Sequence, residues 1–368
     1  MFFTEHSSLL TLHFTLITFY INLHQNLLST ALSLFRADPL PAQRLHGGTF
    51  SEVYEFTSRG ESFILRLTPP NSGIDRDDME SVLHYMHYLS DGGLCVPSPL
   101  LSREGRLVEM IPDGDRTWLA TVVQKARGVR AETIPFEGWT DRRIHLLGSL
   151  TGRMHRLSQG YQPPAEIKPR PGWDKVTNNY NPLDELPDAE TDILERRQEV
   201  LARLEHLPRT PASFGLIHAD LQFANFFIDP ADDLLTLYDF DDCCQGWYMM
   251  DIALPLLDML VLYPGHDREV FASRFLEHFI TGYRTQCTPD PSPAGGVTYF
   301  SETAGDRTVP SGGSLRGGGN PGQLGGEVHA WTEGKHSQPH SLCSGILMTL
   351  QDSADKGSLY EKSGFAGI

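Results

Sequence analysis

The stretch that decides the fold runs from Gly215 to Asp251 and reads GLIHADLQFANFFIDPADDLLTLYDFDDCCQGWYMMD. Two short apolar runs, 214–217 and 234–238, have the composition of buried β-strands. A carboxylate closely follows each run, Asp220 and Asp239 respectively, and the amide Asn225 lies between them. A hydrophobic core needs none of these polar side chains. A site that holds metal-bound phosphates beside a hydroxyl needs all three.

The spacing of these residues has the form H-x-D-L-x-x-x-N followed by D-F-D, beginning at His218. In phosphoryl transfer a loop carboxylate accepts the proton of the attacking hydroxyl, while an amide and a second carboxylate hold Mg²⁺ against the phosphates. Mg²⁺ prefers oxygen ligands and takes only one or two protein side chains alongside phosphate and water. Two carboxylates and one amide on neighbouring loops therefore predict a phosphotransferase site.

On these residues the chain resembles the aminoglycoside phosphotransferase and choline kinase branch of the protein-kinase-like fold, in which the loop reads H-G-D-x-x-x-x-N before a strand that ends in D-F or D-W. The resemblance implies that ATP and Mg²⁺ are the cofactors. It also implies a role for each residue: Asp220 as catalytic base, His218 as a brace for the loop, Asn225 and Asp239 as Mg²⁺ ligands, and Asp251 as a structural partner of the loop.

Upstream, two β-rich runs on either side of Ser58-Arg59-Gly60 predict a hairpin. Gly47 and Gly48 precede its first strand, at the position of the family's glycine-rich phosphate loop. Arg66 stands where the family usually presents a Lys to the α- and β-phosphates, and a guanidinium group can hold phosphate oxygens equally well. The alternative is an Arg66 that points to solvent. Glu80 is the nearest candidate for the helix glutamate that pairs with this cation, but it lies opposite the apolar stripe of its helix, and the pairing stays open.

The expected fold class is α+β, with the bilobal architecture of protein kinases. Residues 27–127 would form an N-lobe that binds nucleotide, with a small antiparallel sheet and one helix at 75–90. Its further strands are predicted at 96–102, 106–112 and 117–128. Residues 128–287 would form a mainly helical C-lobe that carries the catalytic loop. The Pro-rich segment 161–187 is interpreted as a substrate-side element, with a purely structural loop as the alternative.

The two ends of the chain lack the patterning of a folded domain. Residues 1–26 are predicted to be an extension of uncertain order, because polar residues interrupt the apolar stretch and leave it short of a membrane span. A membrane anchor is the alternative there. Residues 288–368 are rich in Gly, Pro and Ser and lack apolar periodicity. They are predicted to be a disordered tail or the product of a shifted reading frame.

Composition limits the partners. The formal net charge is −17, from 47 acidic against 30 basic residues, which disfavours nucleic acid or an anionic membrane as the main partner. The acidic balance, with extra carboxylates at Asp241 and Asp242, favours a positively charged small-molecule acceptor. Five scattered cysteines predict reduced thiols and a cytoplasmic location.

These observations predict an ATP-dependent phosphotransferase that moves the γ-phosphate to the hydroxyl of a small molecule. Two alternatives stay open. One is a non-catalytic, nucleotide-binding pseudoenzyme, and the other is a protein Ser/Thr kinase of the same fold.

Overall fold

The computed structural model describes residues 26–38, 41–45, 51–175, 195, 198 and 202–288. Several predictions lie outside these residues. They concern the N-terminal extension up to residue 25, the tail beyond residue 288, and the Pro-rich segment beyond residue 175. Gly47 and Gly48 also lie outside them.

Five strands form an antiparallel sheet in the N-lobe. They are β1 (Gln43–Leu45), β2 (Glu52–Ser58), β3 (Glu61–Thr68), β4 (Glu109–Asp113) and β5 (Arg116–Gln124), in the order β1-β2-β3-β5-β4. The predicted hairpin is present as β2 and β3. Its turn residues Arg59 and Gly60 have positive φ angles of 55° and 80°, as a two-residue turn that follows the strand twist requires.

Two helices complete the N-lobe. Helix α1 (26–34) buries Leu27 and Ala31 in one cluster with Leu65 of β3. Helix α2 (Arg76–Asp91), predicted at 75–90, begins at an Asp75 cap whose carboxylate accepts the N–H of Asp78 at 2.7 Å. Its apolar stripe belongs to the large cluster that continues into the C-lobe. The sheet is thus linked to the rest of the molecule through α2.

The prediction of a strand at 96–102 was wrong. That segment makes only an isolated bridge between Pro99 and Val123 of β5. Pro97 and Pro99 have no backbone N–H to donate, so the segment cannot form a continuous ladder.

The C-lobe is mainly helical. The longest helices among its described residues are α3 (Asp141–Ser158), α4 (Met250–Leu262) and α5 (Arg268–Arg284). Two small antiparallel sheets carry the loops between them: β6 (Val129–Arg130), β8 (Phe226–Asp229) and β9 (Leu234–Leu237) in one, β7 (Phe214–Ile217) and β10 (Cys244–Trp247) in the other. The two strands predicted on either side of the central motif are therefore present as β7 and β9. The α+β class, with a small antiparallel N-lobe and a mainly helical C-lobe, is confirmed.

Helices α3 and α5 pack with their backbones almost in contact. A Cβ atom added at Gly148 would lie 1.9 Å from the carbonyl oxygen of Phe279, and one at Gly282 would lie 1.9 Å from that of His145. Only glycine allows this approach. The pair forms a rigid frame, and Leu147 of α3 shares a core cluster with Leu216 of β7 and Leu237 of β9. This packing fixes the two strands from which the motif residues project.

Candidate active site

The loop after β7 is held by one buried carboxylate. Asp251, fully buried in α4, accepts the backbone N–H groups of His218 at 2.8 Å and Ala219 at 2.9 Å. It also accepts the Nε2 proton of the buried His155 at 3.0 Å, and the hydroxyl of Tyr283 lies 2.8 Å from the other ring nitrogen. The loop is thus tied to α4 directly, and to α3 and α5 through His155.

His218 uses both ring nitrogens on backbone groups. Its Nε2 donates to the carbonyl oxygen of Tyr238 at 3.0 Å, and its Nδ1 accepts the N–H of Asp220 at 3.3 Å. These two contacts fix the tautomer with the proton on Nε2. His218 therefore connects the catalytic loop to the end of β9 and presents no free nitrogen for proton transfer, which fits the expected role of a brace.

Asp220 is surrounded by amides. The Nδ2 of Asn225 donates to the Asp220 carboxylate at 2.7 Å and to its carbonyl oxygen at 2.9 Å. The Nε2 of Gln222 donates to both carboxylate oxygens, at 3.1 and 3.0 Å. Since the Asn225 nitrogen is occupied, its oxygen is the atom available to a metal ion. Gln222 was missed from sequence, because the motif treats its position as variable.

Asp239 is a buried carboxylate in a strained backbone position. Its φ is 65°, a region that costs a non-glycine residue free energy and that clusters at functional sites. Burial and, to a smaller extent, the charge of Asp241 together raise the pKa of its carboxyl to about 6, against the lowering effect of the Arg66 charge. Nearby Asp220 adds to the repulsion. This concentration of negative charge is what a divalent cation would relieve.

Arg66 lies at the same turn. Its Nη1 is 2.7 Å from a carboxylate oxygen of Asp241, and its Nε donates to the Ser51 hydroxyl at 3.0 Å. The side chain is 28% exposed, so it is directed along the lobe interface and not out into solvent. Glu80 pairs instead with Arg76 on its own helix, at 2.7 Å. The partner of Arg66 is therefore the carboxylate that closes the D-F-D motif.

Asp258 joins the site from α4 and was missed in the sequence. Its carboxylate accepts the N–H of Phe223, in the turn between Asp220 and Asn225, at 2.7 Å. Burial, with a smaller contribution from the charge of Asp220, raises the pKa of Asp258 to about 6 against the lowering effect of the Phe223 hydrogen bond. Asp258 lies two helical turns after Asp251, so helical periodicity places both on one face. That spacing was the signal that could have found it.

The oxygen atoms of this site suit a hard divalent cation only if a bound substrate supplies the remaining ligands of the cation. Among the described residues, no three His, Cys, Asp or Glu side chains converge into a metal-holding group. An Asp239 carboxylate and an Asn225 oxygen provide two ligands, and Mg²⁺ usually takes its other ligands from phosphates and water. The residues present therefore fit Mg²⁺ bound together with a nucleotide.

A substitution at Ala219 tests the strain in the catalytic loop. Ala219 has a φ of 67°. It occupies the position at which the phosphotransferase family that this chain resembles has glycine. A left-handed alanine costs about 1–2 kcal/mol and glycine loses about 0.5–1 kcal/mol more entropy on folding, so Ala219→Gly should raise the free energy of unfolding by about 0.5–1 kcal/mol. Urea denaturation measures the change. Ala253→Gly, within α4, is the matched control and should lower stability by about 1 kcal/mol or more. Equal losses in the two variants would contradict the strain.

No helix in the described part of the chain has the length and apolar character to cross a membrane. The four cysteines within it, Cys95, Cys243, Cys244 and Cys287, are free thiols, as predicted.

Comparison with known proteins places this site in context. A model of a phosphotransferase enzyme family matches residues 41–287. Amicoumacin kinase of Bacillus subtilis (strain 168) is 29% identical over 243 residues, which cover 65% of this chain and 70% of that protein. Homoserine kinase of Rhodopseudomonas palustris (strain TIE-1) is 31% identical over 214 residues, which cover 54% of this chain and 57% of that enzyme. The chain thus spans little more than half of the homoserine kinase.

A solved structure agrees with the fold. Amicoumacin kinase hAmiN in complex with AMP-PNP, Ca²⁺ and Ami superposes with a TM-score of 0.64 at 24% identity, and the match covers 91% of this chain and 93% of that one. At this identity the likeness shows the shared protein-kinase-like architecture.

Proposed function

The chain belongs to the phosphotransferase enzyme family, and on that premise we propose that it transfers the γ-phosphate of ATP to a hydroxyl of an amine-bearing small molecule. Asp220 is the catalytic base, Asn225 and Asp239 hold Mg²⁺, and His218 braces the loop. Arg66 holds phosphate oxygens, together with the backbone of the loop that contains Gly47 and Gly48.

The observation that carries the proposal is the set of partners of Asp220. Its carboxylate accepts from the amides of Asn225 and Gln222, and no Lys or Arg pairs with it among the described side chains. The two amides hold the carboxylate in one orientation, in which it can accept the proton of a hydroxyl placed beside it. Its contact with Asn225 also sets the base directly beside a proposed metal ligand, which brings the acceptor hydroxyl close to the γ-phosphate.

The charges around Asp239 support the metal and nucleotide assignments. A bound Mg²⁺ would neutralise phosphate charge and orient the γ-phosphoryl group. Arg66 lies at the turn that carries Asp239, and its guanidinium can exchange the Asp241 carboxylate for phosphate oxygens with the same geometry. The protein thus supplies one cation on the N-lobe side and two metal ligands on the C-lobe side.

Asp258 supports an amine on the acceptor. Its half-buried carboxylate lies next to Asp220, where an ammonium group of the acceptor would relieve the repulsion between them. Asp241, expected from sequence to attract a cationic acceptor, instead pairs with Arg66. The names of two relatives point the same way, since homoserine carries both an amine and a hydroxyl and the other relative phosphorylates amicoumacin.

The test is ADP release with ATP and Mg²⁺ over a set of hydroxyl compounds that includes homoserine and amicoumacin. We expect turnover with an amine-bearing compound and loss of that turnover when the amine is acetylated. A thermal shift with ATP and Mg²⁺ but no turnover on any small molecule would favour a pseudoenzyme. Phosphorylation of a protein substrate alone would favour a Ser/Thr kinase.

The division into an N-lobe at 27–127 and a C-lobe at 128–287 is part of the proposal. It is supported by the end of β5 at Gln124 and the start of β6 at Val129. A cytoplasmic location is proposed on the support of the free thiols.

A further inference from the structure

The first half of the Pro-rich segment is docked between α2 and the D-F-D turn. The Ser81 hydroxyl of α2 donates to the Lys168 carbonyl at 2.6 Å, and the Lys168 ammonium lies 2.7 Å from Asp78 and 3.1 Å from Asp75. On the other side, the N–H of Gln245 in β10 donates to the Pro171 carbonyl at 2.8 Å. This part of the segment therefore bridges the two lobes.

Arg170 makes the central contacts of this bridge. Its Nη2 donates to the carbonyl oxygen of Asp241 at 2.7 Å and its Nε to that of Cys243 at 2.8 Å. Its Nη1 donates to the carbonyl oxygen of Asp78 in α2 at 3.3 Å. A planar guanidinium group has donors in fixed directions, so the three carbonyl groups are held in one geometry relative to each other.

The contacts of Arg170 fall on the residues that follow Asp239. With φ at 65°, Asp239 depends on its surroundings to keep its strained conformation. Within the turn after it, the Cys243 N–H donates to the Phe240 carbonyl at 3.0 Å. Arg170 binds two carbonyl groups of this turn, those of Asp241 and Cys243. Removing the guanidinium would take away two of the hydrogen bonds that hold this turn and leave the ion pair of Arg66 with Asp241 in place.

Arg170 also connects α2 to the phosphate site in a way that differs from protein kinases. In protein kinases, an ion pair between a strand lysine and a helix glutamate connects the helix to the phosphate site. Here Glu80 of α2 pairs with Arg76, and Arg66 pairs with Asp241. Arg170 provides a polar connection from α2 to the metal turn, beside the edge contact between the rings of Tyr85 in α2 and Phe240.

We propose that Arg170 is a positioning residue that holds the turn from Asp239 to Cys243 in its metal-binding shape and couples that shape to α2. The proposal rests on the proposed function, because Asp239 is assigned there as a metal ligand. In this proposal Arg170 does not contact the substrate. It controls the position of Asp239, the proposed metal ligand.

The test measures metal binding without any acceptor. Mn²⁺ replaces Mg²⁺ as the probe, and its affinity is measured by electron paramagnetic resonance with the full chain saturated with AMP-PNP. We expect Arg170→Ala to weaken nucleotide-dependent Mn²⁺ binding about 10–100-fold, the range found when partners of metal ligands are removed. Affinity for AMP-PNP without metal should change less than about threefold, since no phosphate contact of Arg170 is involved.

Lys168→Ala is the matched control. It removes the outer ion pairs of the same segment with α2 and leaves the carbonyl contacts of Arg170 in place. We expect its Mn²⁺ affinity to stay within about twofold of wild type, because exposed ion pairs contribute little. A loss as large as that of Arg170→Ala would assign the effect to docking of the segment and overturn the role of Arg170.

Two further outcomes separate the proposals. If wild type shows no nucleotide-dependent Mn²⁺ binding, the proposed function fails and this proposal fails with it. If wild type binds and Arg170→Ala binds equally tightly, only the role of Arg170 is overturned.

Should Arg170→Ala fail to fold, Arg170→Lys retains the charge but not the fork of donors. We expect it to lose part of the affinity, and wild-type affinity would overturn the proposal.

Discussion

Replacing Asp220 by alanine is expected to lower kcat about 10²–10⁴-fold, the contribution of a general base, while nucleotide binding is retained. At about 1.36 kcal/mol per tenfold, this corresponds to about 3–5 kcal/mol of transition-state stabilisation. The amides of Asn225 and Gln222 orient the Asp220 carboxylate, and no Lys or Arg of the described part of the chain pairs with it. Turnover is measured as ADP release with the acceptor found in the screen, and nucleotide binding as AMP-PNP affinity by calorimetry.

Gln222→Ala provides the comparison for this variant. It removes one of the two amides on the Asp220 carboxylate and keeps the carboxylate itself. A loss of about tenfold in kcat is expected, since a hydrogen bond to a charged carboxylate contributes about 1.5 kcal/mol. Near-wild-type turnover in Asp220→Ala would show that another group accepts the proton. Loss of AMP-PNP binding in that variant would instead indicate a disrupted loop.

Asp251→Ala is expected to lower the free energy of unfolding by about 3–5 kcal/mol, because each buried donor that is left without an acceptor costs about 1–3 kcal/mol. Asp251 is fully buried and accepts from the backbone N–H groups of His218 and Ala219 and from the ring of His155. Its removal leaves three buried donors without an acceptor. For a domain of this size the midpoint of thermal unfolding should fall by about 6–20 °C. Chemical denaturation and calorimetry measure the two quantities.

Asp77→Ala is a suitable control for Asp251→Ala. Its carboxylate is 67% exposed in the first turn of α2 and lies 3.3 Å from the exposed Arg76. A change of less than about 1 kcal/mol is expected for such a surface carboxylate. If Asp251→Ala were as mild as Asp77→Ala, the bonds from Asp251 to the loop would contribute no net stability, and the loop would be held by its other contacts, such as those of His218 with Tyr238 and of Phe223 with Asp258.

Local pattern was enough to predict the strands and helices near the site. The apolar runs before Asp220 and Asp239 appear as β7 and β9, and the Arg59-Gly60 turn joins β2 to β3 as its residues require. Each of these elements is determined by residues that lie close together in the sequence. Its composition and apolar periodicity are therefore enough to predict it. The strand predicted at 96–102 failed for an equally local reason, since two prolines interrupt its ladder.

The contacts between lobes could not be predicted in the same way. Nothing near Arg66 in the chain indicates that its partner is Asp241, because the pairing depends on how the N-lobe sheet meets the D-F-D turn. Arg170 lies in a Pro-rich segment without periodicity, and its three acceptors are backbone carbonyls, which carry no sequence signal. Sequence therefore predicts which residues lie on the loops, whereas tertiary contacts determine the partner of each one.

The bonds of His155 also order events during protein synthesis. His155 leaves the ribosome 96 residues before Asp251 and 128 residues before Tyr283, its two hydrogen-bonding partners. At about 5–20 residues per second, the second interval lasts on the order of 10 s. Until Asp251 is made α3 lacks its buried acceptor, and until α5 is made it also lacks the close glycine contacts. The catalytic loop, which depends on Asp251, therefore reaches its final conformation late, when almost all of the C-lobe has been made.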